Sequence, residues 1–538
     1  MSSLARNRGT ISKLLYYSVF CVVAVFAFLD RFDNFKYLDV DLMWHIRVGE
    51  EIVQNHSISF ANTFSWLEGT LWTQQEWLFD VLIYLVSRFF GVFGFVFIGM
   101  LVFGSSYAIP YFCNKWKYKF LSLAVFYYLF VDFKVNSINR PMWFSVYFVL
   151  LLMYLYDSER LSKVWKLALY FLLGVFSANF HAGMIVVMFV LLALNIVFDV
   201  FFNFKFKKAV EKKNILFLLG DIAVFLLGYM VNPLGPKRYI EMFKVSSLAT
   251  TAYISEWRPL TIPGALGAFI LVAVIFVTGY GFLTAYRKKD EKECRRLIVV
   301  AAFVCLGIMS QKSGIVGLLF FMTYAYKYLE IMIDDILISG TVIERAVTSF
   351  YGSIKFKKEW LSFVTVAVTA CLIALPLCMR LNTFDDYIKH GLAPSAFVDK
   401  TKKDEVLLQD VVSQDIMDYL KTASAEDEDF SIVHSYIMGN FLVWEKIPAF
   451  VDSRQFPYAD GATEVNCTAL DDLLFLTNGT QEEYQSFFDE YRFKYVLVGD
   501  SAVVYSDKLN KSVALCENYE LIMSDERSGC SLYQRIEG

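Results

Sequence analysis

The chain has 538 residues, 57% of them hydrophobic and 17% aromatic but only 19% charged, with a mean hydropathy of +0.46 and a net charge of −4. Soluble domains run at about 45–50% apolar and about 25% charged residues, so the composition excludes an ordinary soluble protein and points to a polytopic membrane protein. The near-neutral charge excludes a nucleic-acid-binding signature, and ten prolines and 28 glycines are too few for a fibrous or disordered chain.

Crossing a bilayer takes about 20 apolar residues, fewer where neighbouring helices shelter the ends. Runs of this kind lie at 11–30, 93–113, 120–132, 142–156, 164–178, 184–203, 214–231, 265–286, 296–310, 314–333 and 360–379. They predict a polytopic α-helical membrane protein of about 11 transmembrane helices (11–13). The stretch from Trp77 to Phe90, ending at Gly91, is a further span or a helix lying in the interface. Basic residues concentrate in every second loop: Arg6, Arg8 and Lys13; Lys115, Lys117 and Lys119; Arg160, Lys163 and Lys166; Lys205 to Lys213; Arg287 to Arg296; Arg345 to Lys358. Loops rich in Lys and Arg stay inside. The expected topology is a multi-pass cell-membrane protein with a cytoplasmic N-terminus and an extracytoplasmic C-terminal domain.

Composition changes at Arg380. The expected division is a membrane domain over 1–380, with a first outer loop at 30–92, and a soluble extracytoplasmic α/β domain over 381–538. In the latter, "FSIVHSY", "PAFVDS", "KYVLVGD" and "LYQRI" read as strands, and Asp404–Leu420 and Gln481–Tyr491 as helices. The nine cysteines contain no CxxC pair, which argues against a zinc or iron–sulfur site. One disulfide among Cys467, Cys516 and Cys530 fits an outer domain.

With this topology the polar clusters beside helix ends all fall on the outer face. They are "DVDLMWHIR" (39–47), "QQEWL" (74–78), "NSINRPMW" (136–143), "NFHAG" (179–183), "NPLGPKR" (232–238), "SEWRPL" (255–260) and "SQKSG" (310–314). One outward-facing site follows. Six of these seven clusters carry a family resemblance. The run from Asp41 to Glu50, with Phe64-Ser65, Trp72 and Glu76-Trp77-Leu78, resembles a bacterial group of the GT-C superfamily of integral membrane glycosyltransferases. That superfamily uses polyprenyl-phosphate sugars and includes mannosyltransferase-like and aminoarabinose-transferase-like members. Arg140-Pro141, Asn179-Phe180-His181, Asn232-Pro233-x-Gly235 and Glu256-Trp257 look like the group's later outer-loop signatures. In the tail, Met438 to Leu442 and Phe450 to Arg454 resemble its soluble domain. The likeness runs over nearly the whole chain. Two departures stand beside the expected site: Met43-Trp44 where the group has paired tryptophans, and Gln75 where it often has histidine.

The resemblance implies transfer of a sugar from a polyprenyl-phosphate carrier to an extracytoplasmic envelope glycan or lipid, with membrane lipids as surroundings and no nucleic-acid partner. A sugar on a lipid phosphate already carries its leaving group. The enzyme must deprotonate an acceptor hydroxyl and hold the departing phosphate in line, giving a single inverting displacement. That requires a carboxylate at the membrane surface and cations around the phosphate. Asp41 is the first choice for the base, because burial beside Trp44 raises a carboxyl toward working pH; Asp39 and Glu76 follow. Arg140, His181 and Lys312 are the expected phosphate ligands. Trp44 and Trp77 suit stacking on a sugar or lining a lipid groove, and His45, Asn232 and Glu256 complete the expected substrate-binding set.

Structural roles compete with each of these. Asp41 suits an N-cap of a helix over Leu42–Val53, His45 a buried hydrogen bond, Arg140 and Lys312 snorkelling to headgroups, and the tryptophans an interfacial belt. Asp39, Asp41 and Glu76 also suit a divalent cation, Mg²⁺ or Mn²⁺, and no cofactor is otherwise implied. The rival functions are a transporter or flippase of lipid-linked glycans, which would place ionisable groups near mid-bilayer, and a noncatalytic glycan-assembly partner.

Overall fold

The structure, a computed structural model, describes residues 40–72, 74, 76–114, 117–132, 140–206, 212–240, 259, 264–338, 413–460, 467–475, 480–499, 509, 513, 518–526 and 528–536. The apolar runs at 11–30 and 360–379, together with Asp39 and Glu256, lie outside them.

The first described helix, α1 (Val40–Asn55), is amphipathic and precedes the other described helices. Next comes α2 (Trp77–Asn114), which breaks at Gly91, where φ 54 and ψ −142 suit glycine alone. The stretch Trp77–Phe90 is therefore the first limb of a bent helix whose second limb is the apolar run at 93–113. The remaining helices are α3 (Lys119–Asp132), α4 (Met142–Asp157), α5 (Lys163–Phe180), α6 (Ile185–Lys205), α7 (Lys212–Tyr229), α8 (Gly264–Arg287), α9 (Glu291–Met309) and α10 (Gln311–Phe320). A π turn at Phe321–Ala325 leads from α10 into α11 (Tyr326–Ile338).

Among the described residues, Ala182–Lys205, Gly267–Arg287 and Ser313–Asp335 are long and apolar enough to cross a membrane. Phe97–Phe112, Met142–Asp157 and Ile215–Tyr229 are shorter apolar helices. Helices α5 and α7 approach most closely at two glycines. A Cβ on Gly174 would lie 2.2 Å from the Phe225 carbonyl oxygen, and one on Gly228 would lie 2.1 Å from that of Phe171. Small residues at such crossings let the backbones themselves touch, which replaces the hydrophobic drive that lipid does not supply.

Charge sorts to one end of this bundle. At the C-terminus of α4, the Asp157 carboxylate accepts from Arg295 Nη2 (2.5 Å) and Arg296 Nε (2.6 Å) of α9. Lys117 pairs with Asp334 at the end of α11. Two cavities, of about 840 and 1000 Å³, open beside this end and share Asp157, Glu159 and Lys292. The other end of α4 and α5 carries Arg140, Asn179 and His181, so the basic loops and the polar clusters lie at opposite ends of the same helices.

The tail contributes α12 (Gln414–Glu426), β1 (Ile432–His434), α13 (Met438–Trp444), α14 (Ala469–Phe475), α15 (Gln481–Tyr491), β2 (Tyr495–Gly499), β3 (Tyr519–Asp525) and β4 (Cys530–Arg535). The strand order is β1-β2-β4-β3, with β1 parallel to β2 and the other pairs antiparallel. Central β2 reads Tyr-Val-Leu-Val-Gly and is buried throughout, as a strand covered on both faces must be. A Thr480–Glu483 capping box fixes the start of α15. Cys467 and Cys530 are free thiols, so neither forms the disulfide considered above.

"PAFVDS" forms no regular strand of this sheet. Its single bridge, Ala449 to Ser65, joins it to the loop between α1 and α2 instead. The Trp66 indole donates to the Ile432 carbonyl (3.0 Å) and stacks on Phe450 at 5.6 Å. The segment from α1 to Trp72 is thus part of the tail's core, with Met43, Trp44 and Trp72 in the same apolar cluster as Ile432, Leu442 and Leu497.

His434, at the end of β1, is fully buried, with its Nδ1 against the Ser435 carbonyl (2.9 Å) and its Nε2 accepting the Phe450 amide (3.0 Å). Both contacts suit the neutral ring, and burial lowers its pKa from 6.5 to about 4. The unfolded chain therefore takes up a proton first as the pH falls. Tail stability is expected to be complete above about pH 6.5, to decline as the pH drops toward 4, and to lose on the order of 3 kcal/mol in all. Denaturant unfolding of the tail at pH 7 and pH 4.5 measures this, and His434→Gln should flatten the difference; a pH-independent midpoint in the unaltered protein would contradict it.

Candidate active site

The site forms where α1, the start of α2, the N-terminus of α4 and the C-terminus of α5 meet the tail. Asp41 and Trp44 lie three residues apart on α1, hence on one face of the helix. Asp41 sits inside the first turn. Its Oδ1 accepts from Ser453 Oγ (2.6 Å) and its Oδ2 faces Arg140 Nη1 (3.1 Å). The Trp44 indole donates to the same Ser453 Oγ (3.0 Å). Ser453 in turn is held by Asn440 of α13, whose Oδ1 accepts the Ser453 backbone amide (3.1 Å). The Asp41 carboxylate is thus fixed from two sides, by Arg140 ahead of α4 and by a residue 412 positions away.

A second set of groups lies one helical step further on. The His45 ring stacks on Trp44 (3.6 Å), and its Nδ1 meets Asp80 Oδ1 at 2.5 Å. Its Nε2 faces Glu76 Oε2 at 3.7 Å, and the other oxygen of Glu76 faces His181 Nε2 at 3.4 Å. His181 Nδ1 lies 2.8 Å from Ser145 Oγ of α4. Glu76 and Asp80, four residues apart, present both carboxylates to one side of α2. Asp80 is fully buried before the Gly91 break, and burial, reinforced by Glu76, pushes its carboxyl well above the usual range, against the pull of Arg454.

The other expected residues are placed differently. The Trp77 indole donates to Asn179 Oδ1 (2.6 Å), which joins α2 to α5. Asn232 Nδ2 donates to the carbonyls of Tyr229 (2.6 Å) and Gly235 (3.2 Å), and its Oδ1 accepts the Leu234 amide (2.8 Å), so it builds its own turn. Lys312 belongs to the first turn of α10. Asp41 faces Ser453 and Arg140 while Glu76 faces His45 and His181, and among the described residues no three His, Cys, Asp or Glu side chains have metal-holding geometry.

Four residues of the site escaped the sequence reading: Asp80, Ser145, Asn440 and Ser453. Asp80 had a local signal, a carboxylate in the apolar run "WLFDVLIYLV". Asn440 and Ser453 lay within the tail motifs already noted, but without a role. Behind them, Arg454 binds Asp452 through Nε (2.8 Å) and Nη2 (2.5 Å), and its guanidinium lies 4.6 Å from the Trp72 ring centre. That buried pair ties the tail to the loop between α1 and α2 beside the site.

No protein-family model and no curated protein sequence matches the chain. Solved structures do. The chain is similar to apo ArnT from Cupriavidus metallidurans, with a TM-score of 0.50 and 12% identity over 98% of each chain. With ArnT bound to undecaprenyl phosphate the TM-score is 0.48 and the identity 12%, over 97% of this chain and 98% of that one. With the Archaeoglobus fulgidus oligosaccharyltransferase, tethered to an acceptor peptide containing the NVT sequon, the TM-score is 0.49 and the identity 13%, over 98% of this chain and 74% of that one. The likeness to apo ArnT is one of fold: a mostly helical architecture shared with that protein, with a small sheet at the C-terminal end of this chain.

Proposed function

We propose that the chain is a membrane glycosyltransferase. It moves a sugar from a polyprenyl-phosphate carrier to an extracytoplasmic envelope acceptor by a single inverting displacement. The observation that carries this is the Asp41–Arg140 pair under Ser453. A carboxylate and a guanidinium side by side, at the mouth of the helices, are the groups that the displacement needs. Asp41 takes the acceptor's proton while Arg140 and His181 hold the departing phosphate. Gathering of these groups at one end of the helices supports a surface reaction over passage through the bundle. The fold neighbour ArnT is a protein known with undecaprenyl phosphate bound, which supports a carrier of that class.

The test is direct. The purified protein, in vesicles with membrane extract as the source of acceptor, is offered undecaprenyl-phosphate-linked pentoses and hexoses, with EDTA, Mg²⁺ or Mn²⁺. Release of undecaprenyl phosphate is read by mass spectrometry. At least one donor should turn over; release from none of them would end this reading.

Arg140→Ala and His181→Ala should each weaken binding of undecaprenyl phosphate by about ten- to a hundredfold, because charge-assisted hydrogen bonds are worth roughly 1.5–3 kcal/mol. Thermal unfolding in detergent serves as the folding control. Unchanged affinity in both folded variants would return Arg140 to snorkelling and His181 to a purely structural bond with Ser145.

A further inference from the structure

Ser453 belongs to the tail, yet its hydroxyl sits between two side chains of α1. It accepts the Trp44 indole proton at 3.0 Å, which occupies a lone pair. One proton remains to be donated, and two oxygens compete for it: Asp41 Oδ1 at 2.6 Å and Asn440 Oδ1 at 3.0 Å. Asn440 Oδ1 already receives the Ser453 amide, while Asp41 is a carboxylate at the shorter distance. Charge-assisted bonds are the stronger ones. The proton therefore goes to Asp41, in a chain running from Trp44 through Ser453 to Asp41.

The loop that holds Ser453 is rigid on both sides. The Tyr436 hydroxyl donates to the Ser453 carbonyl (2.9 Å), Asn440 is fully buried, and the next residues in either direction, Asp452 and Arg454, form the buried ion pair. Arg140 holds the other Asp41 oxygen. A carboxylate pinned at one oxygen by a neutral donor and at the other by a cation has its plane fixed. Orientation of this kind is where an enzyme gains rate without changing ground-state affinity.

We infer that Ser453 is a positioning residue for sugar transfer: its hydroxyl, supplied by the tail and locked by Asn440, orients the Asp41 carboxylate toward the acceptor. The inference rests on the transfer reading proposed above. Docking of the tail thereby raises the rate of transfer, because it supplies the hydroxyl that aims Asp41.

The experiment compares unaltered protein with Ser453→Ala, Ser453→Thr and Asp41→Asn. The donor is the undecaprenyl-phosphate-linked sugar that turns over in the release assay, and undecaprenyl phosphate itself is the binding probe. Ser453→Ala should lower kcat about tenfold, with donor KM and the Kd for undecaprenyl phosphate unchanged within about twofold. Ser453→Thr, which keeps the hydroxyl, should recover most of the loss. A wild-type kcat in Ser453→Ala, a loss that appears equally in KM and Kd, or a Thr variant as slow as Ala would each overturn the positioning role. An inactive Asp41→Asn beside a fully active Ser453→Ala sinks this inference alone. An active Asp41→Asn removes Asp41 as the base and this inference with it, while no donor turning over ends the transfer reading itself.

Discussion

Asp41→Asn is expected to yield a folded, inserted protein whose sugar transfer falls by about 10²–10⁴, the usual cost of losing a general base. The substitution isolates the base from every structural role of the residue. Asparagine caps a helix about as well as aspartate, and Asp41 in any case lies inside the first turn of α1. The amide oxygen can still accept the Ser453 hydroxyl proton. What disappears is the charge that takes a proton and the partner of Arg140. That ion pair is partly exposed, with side-chain accessibilities of 19% and 23%, so its contribution to folding is small. Release of undecaprenyl phosphate measures the rate, and thermal unfolding in detergent confirms the fold. Near-normal transfer would remove Asp41 as the base and move the search to Asp39 and Glu76.

The second large effect is on stability. Arg454→Ala should destabilise the tail by roughly 3–5 kcal/mol, the range for removing one partner of a buried ion pair. Both side chains of the Asp452–Arg454 pair are wholly buried. Losing the guanidinium leaves the Asp452 carboxylate with Tyr458 and the Arg454 backbone amide as its neutral donors. It also strips the cation from the faces of Trp72 and Phe64. The tail and the first outer loop should therefore loosen together, seen as a lower denaturant midpoint and faster proteolysis near residues 60–72. Because a buried pair is worth little beyond its own desolvation, the double change Asp452→Asn with Arg454→Met should recover much of the loss. A single-variant cost below about 1 kcal/mol would show that the pair is not integral to the tail.

The sequence by itself determined the helices, because their signal is local. An apolar run of sufficient length has one stable form in a bilayer, since only the helix satisfies its own backbone. The described helices α3 to α11 accordingly lie close to the apolar runs, and Gly91 marks the bend of α2 as a residue able to take positive φ. Asp41, His45, Glu76, Arg140 and His181 were legible as candidates because polar groups at helix ends in so apolar a chain stand out. Their partners were not. Whether Asp41 caps a helix or faces a cation depends on Ser453 and Arg140, which approach it from distant parts of the chain. Asn232 looked like a ligand and is occupied by its own turn. "PAFVDS" had the composition of a strand, yet pairs with Ser65 rather than with the sheet, because alternation specifies extended backbone and not its neighbour. Residue type and spacing fix what a segment can form. Which oxygen receives which proton is decided by the docking of the tail onto α1, a contact between surfaces that no stretch of sequence contains.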